Sequence, residues 1–270
     1  MSSHRKIPDR NSIISYVPLG KMFVSLQAQR TLRPAWVKEI AANFNIDSFG
    51  IPVLNFRDPN YYIVDAQHRI FALREWLGEG WETQEIECEV HVGLNEQKEA
   101  EMFLKLNKNL NTNPFEKFKI SITAKRYIEI QVKKTVEEQG LLVSNTRSPG
   151  SVGAVSTLIK VYNRSGVFIL GRSLRIIRDS FGDSGFEAKI IDGIALVCQR
   201  YNGAVDEQLV VKKLSGMRGG MTGLTNKAFV IKKSTGYPMA SCIAAATVET
   251  VNSGRGGRKL SPWWKIAEIK

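Results

Sequence analysis

The chain has 270 residues, of which 43% are hydrophobic and 24% charged, and its formal net charge is +12. This composition is typical of a globular protein and excludes a disordered or fibrous chain. No apolar run approaches the roughly 20 residues that span a bilayer. Residues 1–6 lack the apolar core of a secretory signal. The sequence therefore predicts a cytoplasmic protein with no membrane partner.

The positive charge is concentrated in the second half of the chain. Residues 1–120 contain 15 basic and 15 acidic residues, whereas residues 121–270 contain 23 and 11. A basic segment of this kind favours a polyanionic partner, most simply nucleic acid. A basic surface that only maintains solubility is the alternative.

The cysteines predict a reducing compartment and argue against a structural zinc site. Cys88, Cys198 and Cys242 lie far apart, each in an apolar segment. We expect buried free thiols in a reducing compartment. With three histidines and no Cys-x-x-Cys pair, a structural zinc site is not expected.

Hydrophobic patterning predicts a first part of mixed strands and helices and a mainly helical, basic second part. We take residues 13–118 as an α+β domain and residues 119–270 as a helical, basic domain. In the first domain strands are predicted at 13–19, 51–56, 61–64 and 86–92, and helices at 34–44, after residue 65, and at 96–110. A helix starting at Pro34, which suits the first helical position, fits this order. One helix from residue 114 to 138 is expected to link the domains, followed by a loop at 141–153. Further helices are predicted at 152–163, 172–180, 188–201, 207–214, 225–233 and 240–251.

Polar residues cluster where the strand at 61–64 passes into a helix. Asp65 lies where an N-cap belongs, so that Gln67, His68 and Arg69 occupy the first helical turn. The free N–H groups of a helix N-terminus favour anions such as phosphate. The alternative is that Asp65 is only a cap, Arg69 a surface ion-pair partner and His68 a hydrogen-bonded polar residue.

The stretch Val64-Asp65-Ala66-Gln67-His68-Arg69, followed by Ala72-Leu73, resembles the Asp-Gly-Gln-His-Arg (DGQHR) box of the ParB/sulfiredoxin superfamily. The resemblance is to the branch of DndB-like proteins and phage ParB-like nuclease domains. Gln29-Arg30 resembles the Gln-Arg pair that precedes a helix in this family, where the arginine contacts nucleotide phosphate. Phe103-Leu104-Lys105-Leu106-Asn107 resembles the segment that closes the family's domain. Ala66 stands where the family usually has glycine, and alanine disfavours positive φ.

The resemblance implies a sulfiredoxin-like, nucleotide-binding fold whose members bind or hydrolyse CTP or ATP, phosphorylate small substrates or reduce sulfinic acid. The last activity needs a cysteine in the box, which this chain lacks. The expected cofactor is a nucleoside triphosphate, ATP or CTP, with Mg²⁺. Its expected binding residues are Gln29, Arg30, Asp65, Gln67, His68, Arg69 and Asn107.

Two residues of the box are candidate catalytic residues. Asp65 would bind a Mg²⁺-coordinated phosphate or cap the helix. His68 would polarise a phosphoryl oxygen or act as a general base. Asn107 would contact a base or ribose, or serve as a buried hydrogen-bonding residue. The metal ligands and the oligomeric state stay open.

The second domain carries candidate nucleic-acid-binding residues. Arg172, Arg175 and Arg178 are spaced three apart and share one helix face. The others are Lys212, Lys213, Arg218, Arg255, Arg258 and Lys259. An ordinary solvated surface is the alternative. Trp263-Trp264 is expected to dock onto the protein itself rather than stack on bases.

The leading hypothesis is a phage-encoded, ParB-like DNA-binding protein of the bacterial cell or infected host, with a nucleotide-binding first domain. One alternative is a metal-dependent DNase, which needs at least two carboxylates at the metal; near the box only Asp65 is well placed, with Glu75 behind it. A further enzymatic alternative is an NTPase or ATP-dependent kinase. The last is a component, or inactive scaffold, of a DNA-modification system.

Overall fold

The computed structural model describes residues 11–108, 113–146, 148–204, 206–253 and 259–264. The chain forms two compact units, Met1–Arg126 (unit 1) and Tyr127–Lys270 (unit 2). Unit 1 contains a sheet with helices, and unit 2 is mainly helical. A sheet in the N-terminal part and helices in the C-terminal part agree with the predicted order of elements.

Unit 1 is built on a five-stranded mixed sheet with the strand order β1-β5-β3-β4-β2. Its strands are β1 (Ser12–Pro18), β2 (Met22–Phe23), β3 (Val53–Arg57), β4 (Asn60–Asp65) and β5 (Glu85–Val92). Its helices are α1 (Pro34–Ala42), α2 (Gln67–Leu77), α3 (Glu96–Leu106) and α4 (Pro114–Thr123). The β1–β5 and β3–β4 pairs are antiparallel, whereas β2–β4 and β3–β5 are parallel.

The apolar faces predicted from periodicity form the core of unit 1. Leu54 of β3, Ile63 of β4 and Val90 of β5 pack with Ile70 and Leu73 of α2. Because α2 follows β4 after one residue, burial of its apolar face fixes the first turn of the helix at the edge of the sheet. The hairpin of β3 and β4 therefore positions the polar residues that follow it.

A buried polar network connects α3 to the sheet. Asn55 in β3 donates from Nδ2 to Glu99 Oε1 (2.6 Å) and to the Leu94 carbonyl (2.8 Å). Glu99 also pairs with Arg57 at 3.0 Å, and burial raises the pKa of its carboxyl. The cap of α3 is Asn95, whose side chain accepts from the Lys98 amide at 3.0 Å. These bonds hold α3 against the sheet, and Asn107 follows as its C-cap.

Unit 2 contains the remaining described helices, α5 (Tyr127–Glu137), α6 (Val155–Phe181), α7 (Ala188–Arg200), α8 (Glu207–Ser215), α9 (Gly220–Thr235) and α10 (Met239–Val251). Two short parallel strands, β6 (Leu142–Val143) and β7 (Ser151–Val152), lie where the sequence predicted a loop. Trp263 packs near Tyr201 and Trp264 stacks on Tyr237, with ring centroids 6.4 and 4.6 Å apart. The prediction that the tryptophan pair docks onto its own protein is confirmed.

The predicted extent of the helix that links the two domains was wrong. The single helix expected from residue 114 to 138 is broken between α4 and α5, where Lys125 adopts a left-handed conformation at φ 51°. The predicted domain boundary at residue 118 lies inside α4. The two helices predicted at 152–163 and 172–180 are confirmed as the two helical segments of α6, which are separated by a kink at Gly166 (φ 76°).

The prediction that the three cysteines are buried free thiols is confirmed for Cys88, Cys198 and Cys242. Burial raises the pKa of the Cys198 thiol to about 12, which keeps it protonated at neutral pH. Within the described ranges, none of the helices combines the length and apolarity that a membrane crossing requires.

Candidate ligand site at the start of helix α2

The turn between β4 and α2 differs from the predicted one. Asp65 was expected to cap α2, but it is the last residue of β4, and the N-cap is Ala66 at φ 75°. A left-handed alanine costs roughly 1–2 kcal/mol, so the surrounding contacts must impose this conformation. Because alanine has no side-chain acceptor, α2 begins without a side-chain cap. The first amides of α2 have no partner within the helix, as at any helix N-terminus.

Arg69 is held in place by two acceptors. Its Nη2 lies 3.4 Å from Asp65 Oδ2, one helical turn back, and its Nη1 donates to the Phe49 carbonyl. The next residue, Gly50, has φ 66°, and a Cβ atom there would lie 2.8 Å from Arg69 Nη1. The glycine thus leaves the space that the guanidinium occupies. This contact orients Arg69 beside the N-terminus of α2.

Asn107 joins the same group from α3. Its Nδ2 donates to the Phe103 carbonyl at 3.0 Å and lies 3.4 Å from Asp65 Oδ1. The Asp65 carboxylate is therefore shared between Asn107 and Arg69. The structure thus brings together three side chains that the sequence assigned to one site.

His68 is 4% exposed and has nitrogen donors on both sides. Its Nε2 accepts from the Arg33 amide at 3.1 Å, and its Nδ1 lies 3.3 Å from Arg30 Nη2. Burial and then the positive charges of Arg30 and Arg33 lower its pKa to about 4, so it is neutral at pH 7. A neutral imidazole that accepts at Nε2 carries its hydrogen on Nδ1. Nδ1–H and the Arg30 guanidinium are then two adjacent donors without a shared acceptor between them.

Arg30 and Trp36 form the opposite wall. The Arg30 guanidinium lies 5.3 Å from the centre of the Trp36 ring, and the same ring lies 5.0 Å from His68. Burial, followed by the charge of Arg33, lowers the pKa of Arg30. Trp36 is not among the site residues predicted from the sequence. Its position on the polar side of α1, outside the apolar stripe, is the signal that could have identified it.

Gln29 has a structural contact. Its side-chain amide donates to the carbonyls of Ile63 and Val64, at 3.0 and 2.6 Å. It therefore braces the end of β4 and places Arg30 near His68. Its role in cofactor binding stays a prediction, because its Nε2 already donates to these two carbonyls.

Gln67 has a buried atom that lacks a partner. The residue is 6% exposed, and among the described residues no donor reaches its Oε1. A buried polar atom without a partner is unusual in native proteins. Its position in the first turn of α2 makes it available to a bound molecule.

These residues surround a cavity of about 510 Å³, the α2 cavity. Its walls include Arg30, Trp36, Asp65, Gln67, His68, Arg69 and Asn107. This volume lies within the range of small-molecule sites. Six of the seven predicted cofactor-binding residues line it; the seventh, Gln29, lines an adjoining cavity of about 580 Å³.

The predicted basic residues of unit 2 are more heavily paired than expected. Arg172 is 6% exposed and forms an ion pair with Glu207 at 2.8 Å. Arg175 pairs with the same carboxylate at 3.1 Å, and Arg178 pairs with Asp179 at 2.8 Å. The predicted shared face of α6 thus includes a buried arginine, and all three guanidinium groups have acidic partners.

The other predicted residues differ in accessibility. Lys212 and Arg218 are exposed, at the end of α8 and in the turn before α9. Lys213 donates to the Ser253 carbonyl. Lys259 is exposed, whereas Arg255 and Arg258 lie outside the described residues. Nucleic-acid binding by all of these residues stays a prediction.

Comparisons with known proteins give one family match. The model of the family of unknown function DUF6551 matches residues 25–226. No curated protein matches the chain. A crystal structure of the C-terminally truncated chromosome-partitioning protein ParB from Caulobacter crescentus, complexed to the centromeric parS site, is similar at 14% identity and a TM-score of 0.34. That similarity covers 86% of this chain and 98% of the ParB chain.

Proposed function

This chain belongs to the family of unknown function DUF6551, and we propose that its unit 1 binds a nucleoside triphosphate through phosphate contacts in the α2 cavity. The observation that carries the proposal is the 3.3 Å distance between Arg30 Nη2 and His68 Nδ1. Because Nε2 accepts from the Arg33 amide, we assign the imidazole hydrogen to Nδ1, so that both groups are donors. Two donors this close are best satisfied by one anionic acceptor that lies beside them within hydrogen-bond distance of both. A phosphate oxygen has the charge and the lone pairs for this position.

The rest of the cavity supports a chain of phosphates rather than a single anion. Arg69 lies one residue beyond His68 in the first turn of α2 and faces the same cavity. The amides of that turn add donors with the positive end of the helix dipole. Arg30 and Arg69 would hold different phosphate groups, with the helix N-terminus between them.

The side chains also fit Mg²⁺, provided that the phosphates supply part of its coordination. Mg²⁺ retains several waters and is commonly bound by one or two carboxylates together with substrate phosphates. Asp65 is the carboxylate among the cavity-lining residues, and among the described residues no group of three His, Cys, Asp or Glu could hold a metal ion alone. Asp65 would therefore be the protein ligand of an ion that neutralises phosphate charge.

The geometry of His68 favours ligand binding over general-base catalysis by this residue. Its Nε2 already accepts from a backbone amide, and its Nδ1 carries a hydrogen. It can therefore donate to a phosphoryl oxygen, but neither nitrogen is free to take a proton. The predicted role of His68 in polarising a phosphoryl oxygen is the one we retain in this proposal.

We expect Arg30→Ala and Arg69→Ala each to weaken nucleotide binding by about 10- to 100-fold, because a charge-assisted hydrogen bond contributes roughly 1.5–3 kcal/mol. The measurement is calorimetric titration of the full chain with ATP, CTP, GTP and UTP, each with Mg²⁺. Lys38→Ala, which removes an exposed cation from α1, is the matched control and should bind as the wild type does. Unchanged affinity in both arginine variants would contradict the site assignment.

A second function, DNA binding by unit 2, is supported by charge. Residues 127–270 contain 21 basic and 11 acidic residues, whereas residues 1–126 contain 17 and 15. Neutralisation of phosphates by such a segment releases counterions and gives a steep salt dependence. Lys212 and Arg218 are the exposed predicted contacts closest to one another in the sequence.

We expect the affinity for duplex DNA to fall steeply with salt, and Lys212→Ala and Arg218→Ala each to reduce the log–log slope by about 1. Fluorescence anisotropy at 50–200 mM salt measures this slope. Lys133→Ala is the control, since Lys133 pairs with Glu137 at 3.7 Å on α5. A wild-type slope near zero would exclude phosphate-driven binding.

The enzymatic alternatives predict additional products in the same samples. A DNase would degrade the DNA when Mg²⁺ or Mn²⁺ is added. An NTPase would release phosphate, and a kinase would convert ATP to ADP only with its acceptor present. Binding without any of these products favours the binding function proposed here.

A further inference from the structure

A second cavity adjoins the α2 cavity in unit 1. It has a volume of about 580 Å³ and shares Arg30 and Gln67 with the α2 cavity. Val24, Leu26, Leu32 and Phe71 contribute apolar surface to its walls. We call it the Glu116 cavity, after the carboxylate in its wall. A ligand that occupies both cavities must pass Gln67.

Two buried acceptor atoms in the Glu116 cavity lack donors among the described residues, Gln67 Oε1 and Glu116 Oε2. The other oxygen of Glu116, Oε1, accepts from the Thr31 amide at 3.0 Å, which fixes the carboxylate. The two unpaired atoms are therefore held in place, and both require a donor.

The two cavities consequently suit opposite ends of one molecule. Arg69 and the His68 N–H offer donors to anions in the α2 cavity, and Arg30 lies in the wall that both cavities share. The Glu116 cavity instead contains two unpaired acceptors, with Lys119 as a further cation in its wall. In a nucleotide the sugar connects the phosphates to the base, so it would lie at the shared wall. Its hydroxyl groups are donors, which is what both unpaired oxygens lack.

We propose that Gln67 Oε1 and Glu116 Oε2 accept hydrogen bonds from ribose hydroxyls, so that unit 1 selects ribonucleotides over deoxyribonucleotides. This inference rests on the proposed nucleotide-binding function and identifies its substrate class. The apolar side chains of the Glu116 cavity would then face the base. A site built to bind a hydroxyl rejects the analogue without it, because its own polar atoms stay unpaired.

The test compares each of the four ribonucleoside triphosphates with its deoxy counterpart, by calorimetric titration of the full chain with Mg²⁺. For the preferred base we expect the deoxy form to bind at least 10-fold more weakly. Glu116→Gln keeps an oxygen for the Thr31 amide but replaces the second acceptor by NH₂, and Gln67→Met removes the other acceptor at similar size. Each should reduce the ribose preference to less than about threefold.

Glu75→Gln, which removes an exposed carboxylate from α2, is the control and should keep the wild-type preference. Equal affinity of the wild type for ribo and deoxy forms, with both weakened by Arg30→Ala, would overturn this inference and leave the proposed function intact. Absence of binding by any nucleotide would overturn both.

Discussion

Lowering the pH from 7 to 4 is expected to reduce the free energy of unfolding by about 3 kcal/mol through His68 alone. In the folded chain the pKa of His68 is lowered to about 4, first by burial and then by Arg30 and Arg33, from an ordinary value of 6.5. Between these two values the unfolded chain binds a proton that the folded chain does not. His68 therefore contributes stability above pH 6.5 that is lost as the pH falls to about 4.

The measurement is urea unfolding of the full chain at pH 7.0, 5.5 and 4.0, for the wild type and His68→Gln. Other groups titrate in this range, including the buried Glu99, whose pKa is raised. Their contributions largely cancel in the difference between the two proteins, which should shrink by about 3 kcal/mol on acidification. Direct titration of the imidazole by NMR provides a second readout. A His68 pKa near 6.5 would contradict the buried, doubly flanked arrangement.

The same titration bears on the proposed ligand. The positive charges of Arg30 and Arg33 help to lower the pKa of His68. A bound phosphate would offset these charges, so the pKa of His68 should rise when a nucleoside triphosphate is added. This shift would locate the phosphate beside His68 independently of any loss of affinity in a variant.

Gly193→Ala is expected to destabilise unit 2 by about 3 kcal/mol, in the upper part of the range for overpacked cores. Gly193 lies in α7 where α10 passes close to it. A Cβ atom at this position would lie 2.4 Å from Ile243 Cγ2 and 2.9 Å from the Ala240 carbonyl oxygen. The carbonyl belongs to the backbone of α10, so one side-chain rotation cannot relieve the overlap. The two helices would have to separate.

Thermal and urea unfolding of the full chain test this expectation against a matched glycine. Gly171 in α6 is also buried, but its nearest neighbour would be Gln139 Nε2, at 3.3 Å, at the end of a flexible side chain. Gly171→Ala should change stability by less than about 1 kcal/mol, since alanine is the better helix former. Equal effects of the two substitutions would show that α7 and α10 tolerate separation.

Local patterns in the sequence were sufficient for most elements and for the members of the site. Strict alternation identified β5, and the helix after β4 followed from the spacing of Ile70, Leu73 and Leu77. A strand or helix with one buried face has apolar residues at a regular spacing, so it can be predicted from the periodicity of the sequence. The box, Gln29-Arg30 and the segment that ends at Asn107 led to six residues that line one cavity and to a seventh, Gln29, that braces the end of β4. The family resemblance itself stays a prediction.

Only the tertiary structure decided which contacts each of these residues makes. Ala66 takes the left-handed conformation, contrary to its own preference, because the sheet and the core fix both β4 and α2. The spacing of Arg172, Arg175 and Arg178 predicted that Arg172 is a surface cation on one helix face, but packing buries it beside Glu207. The Arg33 amide, which donates to Nε2 of His68, lies 35 residues before His68 in the sequence. Glu116, whose Oε2 has no donor, lies 49 residues after Gln67. Local sequence determined which polar groups unit 1 contains. Long-range packing determined which of their atoms are paired and which are unpaired, because those contacts join residues that no local pattern relates.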